Sequence, residues 1–232
     1  MRSLLAPRPS LRPRRLPLAL GPGLAAAFAL VAGSPARAQP VTLSAHDFQL
    51  YKDYQAALQD PRVVKMPARR RLPAIARNFH VPLKELKAAI QAGDREGPGI
   101  GRRCEAQIRA LLEAGPLKGR VRDVKVDDSQ GHVVTYVSWA NVDGTQLEAE
   151  ASTAALAAVK GAPITWTVAV WAVDQRTGRK VFEAKIAADS AALFQPEAIP
   201  MFATARYIRL FEDVKNAYRG TPPTDDAGRG PN

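Results

Sequence analysis

From Arg102 onward the apolar residues of this chain spell helix, strand, strand, helix, strand, strand, helix, and that order restricts the fold more than any other feature. Arg102 to Ala114 keeps helical spacing and is closed by Gly115-Pro116. Val121 to Val126 and Val133 to Ala140 then read as strands about the turn Asp127-Asp128-Ser129-Gln130-Gly131. Thr145 and Glu148 form a T-x-x-E capping box opening an alanine-rich helix, Gln146 to Lys160, with Gly161 as its C′ residue. Ile164 to Val173, a turn over Gln175 to Gly178, and Val181 to Ala187 make a second hairpin. Met201, Ala205, Ile208, Phe211, Val214 and Tyr218 fall on one stripe of a final helix. Two hairpins joined by a helix predict an α+β domain over residues 101–219. It is a two-layer antiparallel four-stranded sheet with helices on one face, in α-ββ-α-ββ-α order. Ala151, Ala154, Ala155 and Ala158 let the middle helix lie close against that sheet.

The two faces of such a sheet differ. In the third strand Ile164, Trp166, Val168 and Val170 point one way; Thr165, Thr167, Ala169, Trp171 and Val173 point the other. The second strand splits into Val133, Thr135, Val137, Trp139 and Val134, Tyr136, Ser138. One face is core. The other keeps a large aromatic, Trp171 or Trp166, near Tyr136. Unless the front helices or the last helix cover it, that face is a candidate interaction surface, with Tyr136 and Trp171 its leading residues.

Residues 39–100 predict a small basic helical bundle. Ser44 and Asp47 form an S-x-x-D start, and Phe48, Tyr51, Tyr54 and Leu58 recur at helical spacing until Asp60-Pro61. Arg69 to Asn78 is a second helix. Pro82 opens a third, which carries Leu83, Leu86 and Ile90 and stops at Gly93. Gly93 to Gly101 reads as a hinge. The run Ile75-Ala76-Arg77-Asn78-Phe79-His80-Val81-Pro82-Leu83-Lys84-Glu85-Leu86 resembles the core of the helix-turn-helix family, with His80 where glycine usually holds a turn of positive φ. It also resembles the helical half of the LysM glycan-binding family, whose flanking strands are not found. The first resemblance implies a second helix in the major groove, presenting Lys84, Glu85, Lys87 and Gln91, with Arg69, Arg70, Arg71 and Arg77 on phosphates.

The first thirty-eight residues argue against that use. Residues 1–38 hold six arginines and no acid, an apolar run from Leu16 to Val31, and Ser34-Pro35-Ala36-Arg37-Ala38. This is the pattern of a secretory signal peptide, with cleavage expected after Ala38. The expected location is periplasmic or extracellular, where no promoter is met, so nucleic acid is disfavoured as a partner. The apolar run is too short and too interrupted by Gly21-Pro22-Gly23 for a membrane span, and no later stretch qualifies. Residues 220–232, with Ala227 as their one apolar residue, are expected to be a disordered tail.

Removing the leader leaves 27 basic and 22 acidic residues, a net of +5 where the whole chain carries +11. Gln39 to Arg103 holds twelve basic and six acidic residues; the remainder holds fifteen and sixteen. The excess charge thus belongs to the helical front. Arg69, Arg70, Arg71, Arg77, Lys84 and Lys87 are the candidate residues for an anionic surface, whether lipid headgroups, wall polymer or an acidic face of an envelope protein.

Catalytic signatures are missing. There is no G-x-S-x-G, P-loop or G-x-G-x-x-G after a strand. His46, His80 and His132 lack ligand spacing, and Cys104, the one cysteine, is read as a small core residue. No catalytic, metal or cofactor site is therefore predicted. Binding or scaffolding in the cell envelope is the expected function, ahead of an enzyme whose site assembles only in the fold.

Overall fold

The computed structural model describes residues 40–129, 131–142, 144, 146–194 and 208–218. The expected leader and tail, Thr145 of the expected capping box, and Met201 and Ala205 of the expected last stripe lie outside them. Helix α1 (Ala45–Ala57) begins where the S-x-x-D pattern places it: Ser44 Oγ accepts from the Asp47 backbone N–H at 3.1 Å and donates to the Asp47 carboxylate at 2.7 Å. Asp60 caps a short helix α2 (Pro61–Val64), which the sequence spacing did not reveal. Helices α3 (Ala68–Asn78) and α4 (Leu83–Glu96) follow. Leu50, Ile75, Ala76, Leu86 and Ala89 form a core between α1, α3 and α4.

Helix α4 does not stop at Gly93. It runs one turn further because Gly93 is a contact, not a terminus: a Cβ there would fall inside the ring of Tyr51, which lies on the bare backbone. The extra turn carries Glu96 to the amino-terminal segment. Its carboxylate accepts from the Thr42 hydroxyl at 2.6 Å, the Thr42 N–H at 2.9 Å and the Leu43 N–H at 3.1 Å. Val41 and Leu43 thereby reach the main core.

Beyond α5 (Ile100–Glu113) the chain forms β1 (Val121–Asp127), β2 (Val134–Asn141), α6 (Leu147–Gly161), β3 (Thr167–Asp174), β4 (Lys180–Ala187), α7 (Ala188–Ala192) and β5 (Glu212–Asn216). The α+β class is as expected. The sheet is not. It has five strands in the order β1-β2-β3-β4-β5, and β2 and β3 run parallel while the other neighbours are antiparallel. The reason is α6. Its fifteen residues span about 22 Å, close to the length of a strand, and return the chain to the end where β2 began. A helical connection of that length makes a crossover rather than a reversal.

The final helix is corrected as well. Ile208 to Leu210 form a 3₁₀ turn, and Glu212–Asn216 pair with β4. Strand β4 would otherwise expose its outer hydrogen-bonding groups, and pairing them outweighs a helical spacing of side chains. Phe211 is buried against Phe194, rings 5.8 Å apart. Val214 and Tyr218, placed by the spacing on the buried stripe, are exposed.

Helix α6 lies on β2 and β3, with α5 against β1 and α7 against β4. The four alanines are fully buried, and Trp139 and Phe182 meet beneath them at 6.4 Å. Gly161 is the last residue of α6 and is there for closeness: a Cβ would stand 2.7 Å from the Ile108 backbone nitrogen of α5. All described residues belong to one compact unit, Ala38–Asn232. No described helix is long and apolar enough to cross a membrane.

Candidate functional site

The α3–α4 hairpin is built by its turn. His80 has φ +55°, the Val81 N–H reaches the Ala76 carbonyl at 3.1 Å, and the His80 N–H reaches the Arg77 carbonyl at 3.2 Å. These two bonds close helix α3 as a Schellman motif with histidine in the left-handed position. Left-handed backbone costs a non-glycine residue, so His80→Gly should raise stability by about 0.5–1 kcal/mol, after allowing for glycine's greater freedom when unfolded. Urea unfolding of the two proteins checks this; an unchanged or lower midpoint refutes it.

The turn leaves Ile75, Ala76, Leu86 and Ala89 facing inward and the cations facing out. Arg69, Arg70, Arg77, Lys84 and Lys87 are all exposed. Arg77 bonds only its own helix, at the Pro73 carbonyl 3.3 Å away. Arg71 differs. Its guanidinium donates to the Val64 carbonyl at 2.7 Å and the Met66 carbonyl at 2.9 Å, tying α2 to α3. Residues 61–91 contain eight basic residues and one acid, Glu85, and Glu85 is engaged by His46 at 2.9 Å. The other five cations named here have no ion-pair partner among the described residues.

The sheet face away from Val137 and Val170 carries Tyr136 and Trp171 as diagonal neighbours, because Tyr136 pairs with Ala169 and Ser138 with Trp171. Their rings meet edge to face at 6.2 Å, both partly exposed. Trp166 is not beside Tyr136. It precedes β3 and packs on His132, centroids 4.7 Å apart. Lysines surround the aromatic pair, and Lys180 lies 5.5 Å from the Trp171 ring. Each meets an acid: Lys125 meets Asp127, Lys180 and Lys215 share Glu183, and Lys185 meets Asp213. The lysines of this face are paired, whereas the cations of the hairpin are not.

A third cluster sits where β2 and β3 end side by side, with Asn141 paired to Asp174. Glu150, in the first turns of α6, is buried. One oxygen takes the Arg120 guanidinium; the other accepts from Trp139 Nε1 at 2.7 Å and Asn141 Nδ2 at 3.0 Å. Asp174 accepts the backbone N–H groups of Thr177 at 2.7 Å and Arg176 at 2.9 Å, and the Tyr218 hydroxyl at 3.1 Å. The Thr177 N–H, the largest influence, holds its carboxyl below the usual range. Both carboxylates are engaged by protein donors, Glu150 by three side chains and Asp174 by the following turn and Tyr218. Sequence reasoning passed over Glu150. The available signal was an acid one turn before Ala154, on the stripe that also holds Leu147, Ala151 and Ala158.

No protein-family model, curated protein or solved structure matches this chain.

Among the described residues no three His, Cys, Asp or Glu side chains gather as a metal site. Cys104 is fully buried in α5, and burial pushes its thiol up to about 12. At mildly alkaline pH the native protein should not react with a disulfide reagent, while the denaturant-unfolded chain should release one equivalent at once. Rapid reaction in the folded state would refute this.

Proposed function

We propose that this chain is an exported, non-enzymatic protein of the cell envelope that binds an anionic partner through the α3–α4 hairpin. The observation that carries the reading is the excess of unpaired, exposed cations over residues 61–91. Solvated charge runs on helices are common, but they usually carry both signs, and here the single acid is already engaged. The leader pattern supports export. The open sheet face, with helices packed on the opposite side, offers Tyr136 and Trp171 as a second surface for an envelope protein.

Fractionating cells that produce the full chain tests the reading. Mature protein beginning at Gln39 in the periplasm or medium supports it, and intact Met1 in the cytosol removes it. The positive φ at His80 favours one rival, a helix-turn-helix DNA reader. That rival requires the cytosolic outcome together with salt-sensitive binding to duplex DNA.

A further inference from the structure

We infer that the anionic partner of the hairpin is a lipid bilayer rather than a soluble or wall-bound polyanion; this rests on the export reading above. The deciding feature is that the cationic segment also exposes aliphatic side chains. Val64 and Leu83 are 51% and 36% accessible, within the same thirty-one residues. Each adjoins charge along the chain. Val64 precedes Lys65 and ends α2, which the Arg71 bond to its carbonyl ties to the start of α3. Leu83 opens α4, followed by Lys84 and, one turn on, by Lys87.

A phosphate polymer satisfies the cations and offers nothing to the aliphatic chains. A bilayer interface satisfies both: headgroup phosphates meet guanidinium and ammonium groups, and small apolar groups leave water at the acyl boundary. Cations near an anionic membrane surface strengthen binding by about fivefold each at moderate salt. Arg69, Arg70, Arg77, Lys84 and Lys87 together are sufficient for measurable, salt-sensitive and reversible attachment without a membrane-spanning helix. Arg71 contributes indirectly, since its donors are committed to holding α2.

The test uses the leader-free protein and sedimentation with vesicles of phosphatidylcholine alone or mixed with phosphatidylglycerol, with inorganic polyphosphate as competitor. Binding is expected to the mixed vesicles, to fall at high salt, and to drop about twenty-five-fold in Arg69→Gln/Arg70→Gln. Val64→Ser/Leu83→Ser should weaken vesicle binding several-fold and leave polyphosphate binding unchanged. Both residues are exposed, so circular dichroism should show the fold intact. Mixed vesicles bound no better than phosphatidylcholine, or a serine pair that binds as the wild type does, overturns the lipid inference. Polyphosphate binding in either of those cases keeps an anionic partner and moves it to a polymer. Cytosolic protein with an intact amino terminus is a different failure, that of the export reading.

Discussion

Glu150→Ala should lower stability by about 3–4 kcal/mol, equivalent to a fall of roughly 10 °C in Tm for a chain of this size. The wild-type carboxylate is buried and neutralises Arg120, whose side chain is itself only 25% exposed. It also accepts from Trp139 Nε1 and Asn141 Nδ2. Removing it leaves one cation without its counter-charge and two buried donors without that acceptor, and each orphaned group costs its desolvation. The position at the amino-terminal turns of α6 adds a smaller loss, since the helix dipole favours a negative charge there. Glu150→Gln should cost less, because an amide oxygen still accepts from Trp139. Urea unfolding of the three proteins measures the differences. A cost below 1 kcal/mol for the alanine variant would show that the network is not what orients α6 on the sheet.

Acidification should release the amino-terminal segment through Glu96. The Thr42 hydroxyl, aided by the N–H groups of Thr42 and Leu43 and by Arg95, lowers this carboxyl from 4.5 to about 2. A carboxyl depressed in the folded state contributes stability above its unfolded value, and loses it as pH falls through its folded value. The contribution is therefore complete above about pH 5 and declines between about pH 4.5 and 2. The depression corresponds to about 2–3 kcal/mol, allowing for the carboxylate's partial contact with water. Glu96→Gln should be less stable than wild type by about that amount at neutral pH, and the gap should narrow steadily towards pH 2. A gap of constant size across that range would refute the assignment. Proteolysis near Thr42, faster in the variant at neutral pH, gives a second readout.

The local elements of this fold were legible because their causes are local. Ser44 caps α1 through bonds to a residue three positions away. The α3–α4 turn was marked by Phe79-His80-Val81-Pro82, and the left-handed backbone expected at the turn is found at His80. The alanine stripe of α6 foretold a helix pressed on a sheet, and all four alanines are buried there. The two glycine readings fared differently. Gly93 was read as a helix end, but α4 runs on to Glu96 and the glycine admits the Tyr51 ring. Gly161 does close α6, but as its last helical residue rather than as a C′ residue beyond it, and it admits the α5 backbone at Ile108.

The candidate surfaces divide in the same way. That Arg69, Arg70, Arg77, Lys84 and Lys87 are exposed follows from helical spacing alone, since the apolar positions they alternate with must face inward. That Arg71 holds α2 does not follow, because α2 has too few residues to show a period. Tyr136 and Trp171 share a face by strand alternation, but only the parallel register brings them to 6.2 Å.

Composition and spacing by themselves determined an α+β chain with its positive charge in the front helices, because caps, turns and periodicity act over a few residues. Tertiary structure alone decided the parallel pairing of β2 and β3, the fifth strand in place of a helix, and the Glu150 and Glu96 clusters. Each of these joins segments distant in sequence, and its free energy comes from groups that meet only after the chain has folded.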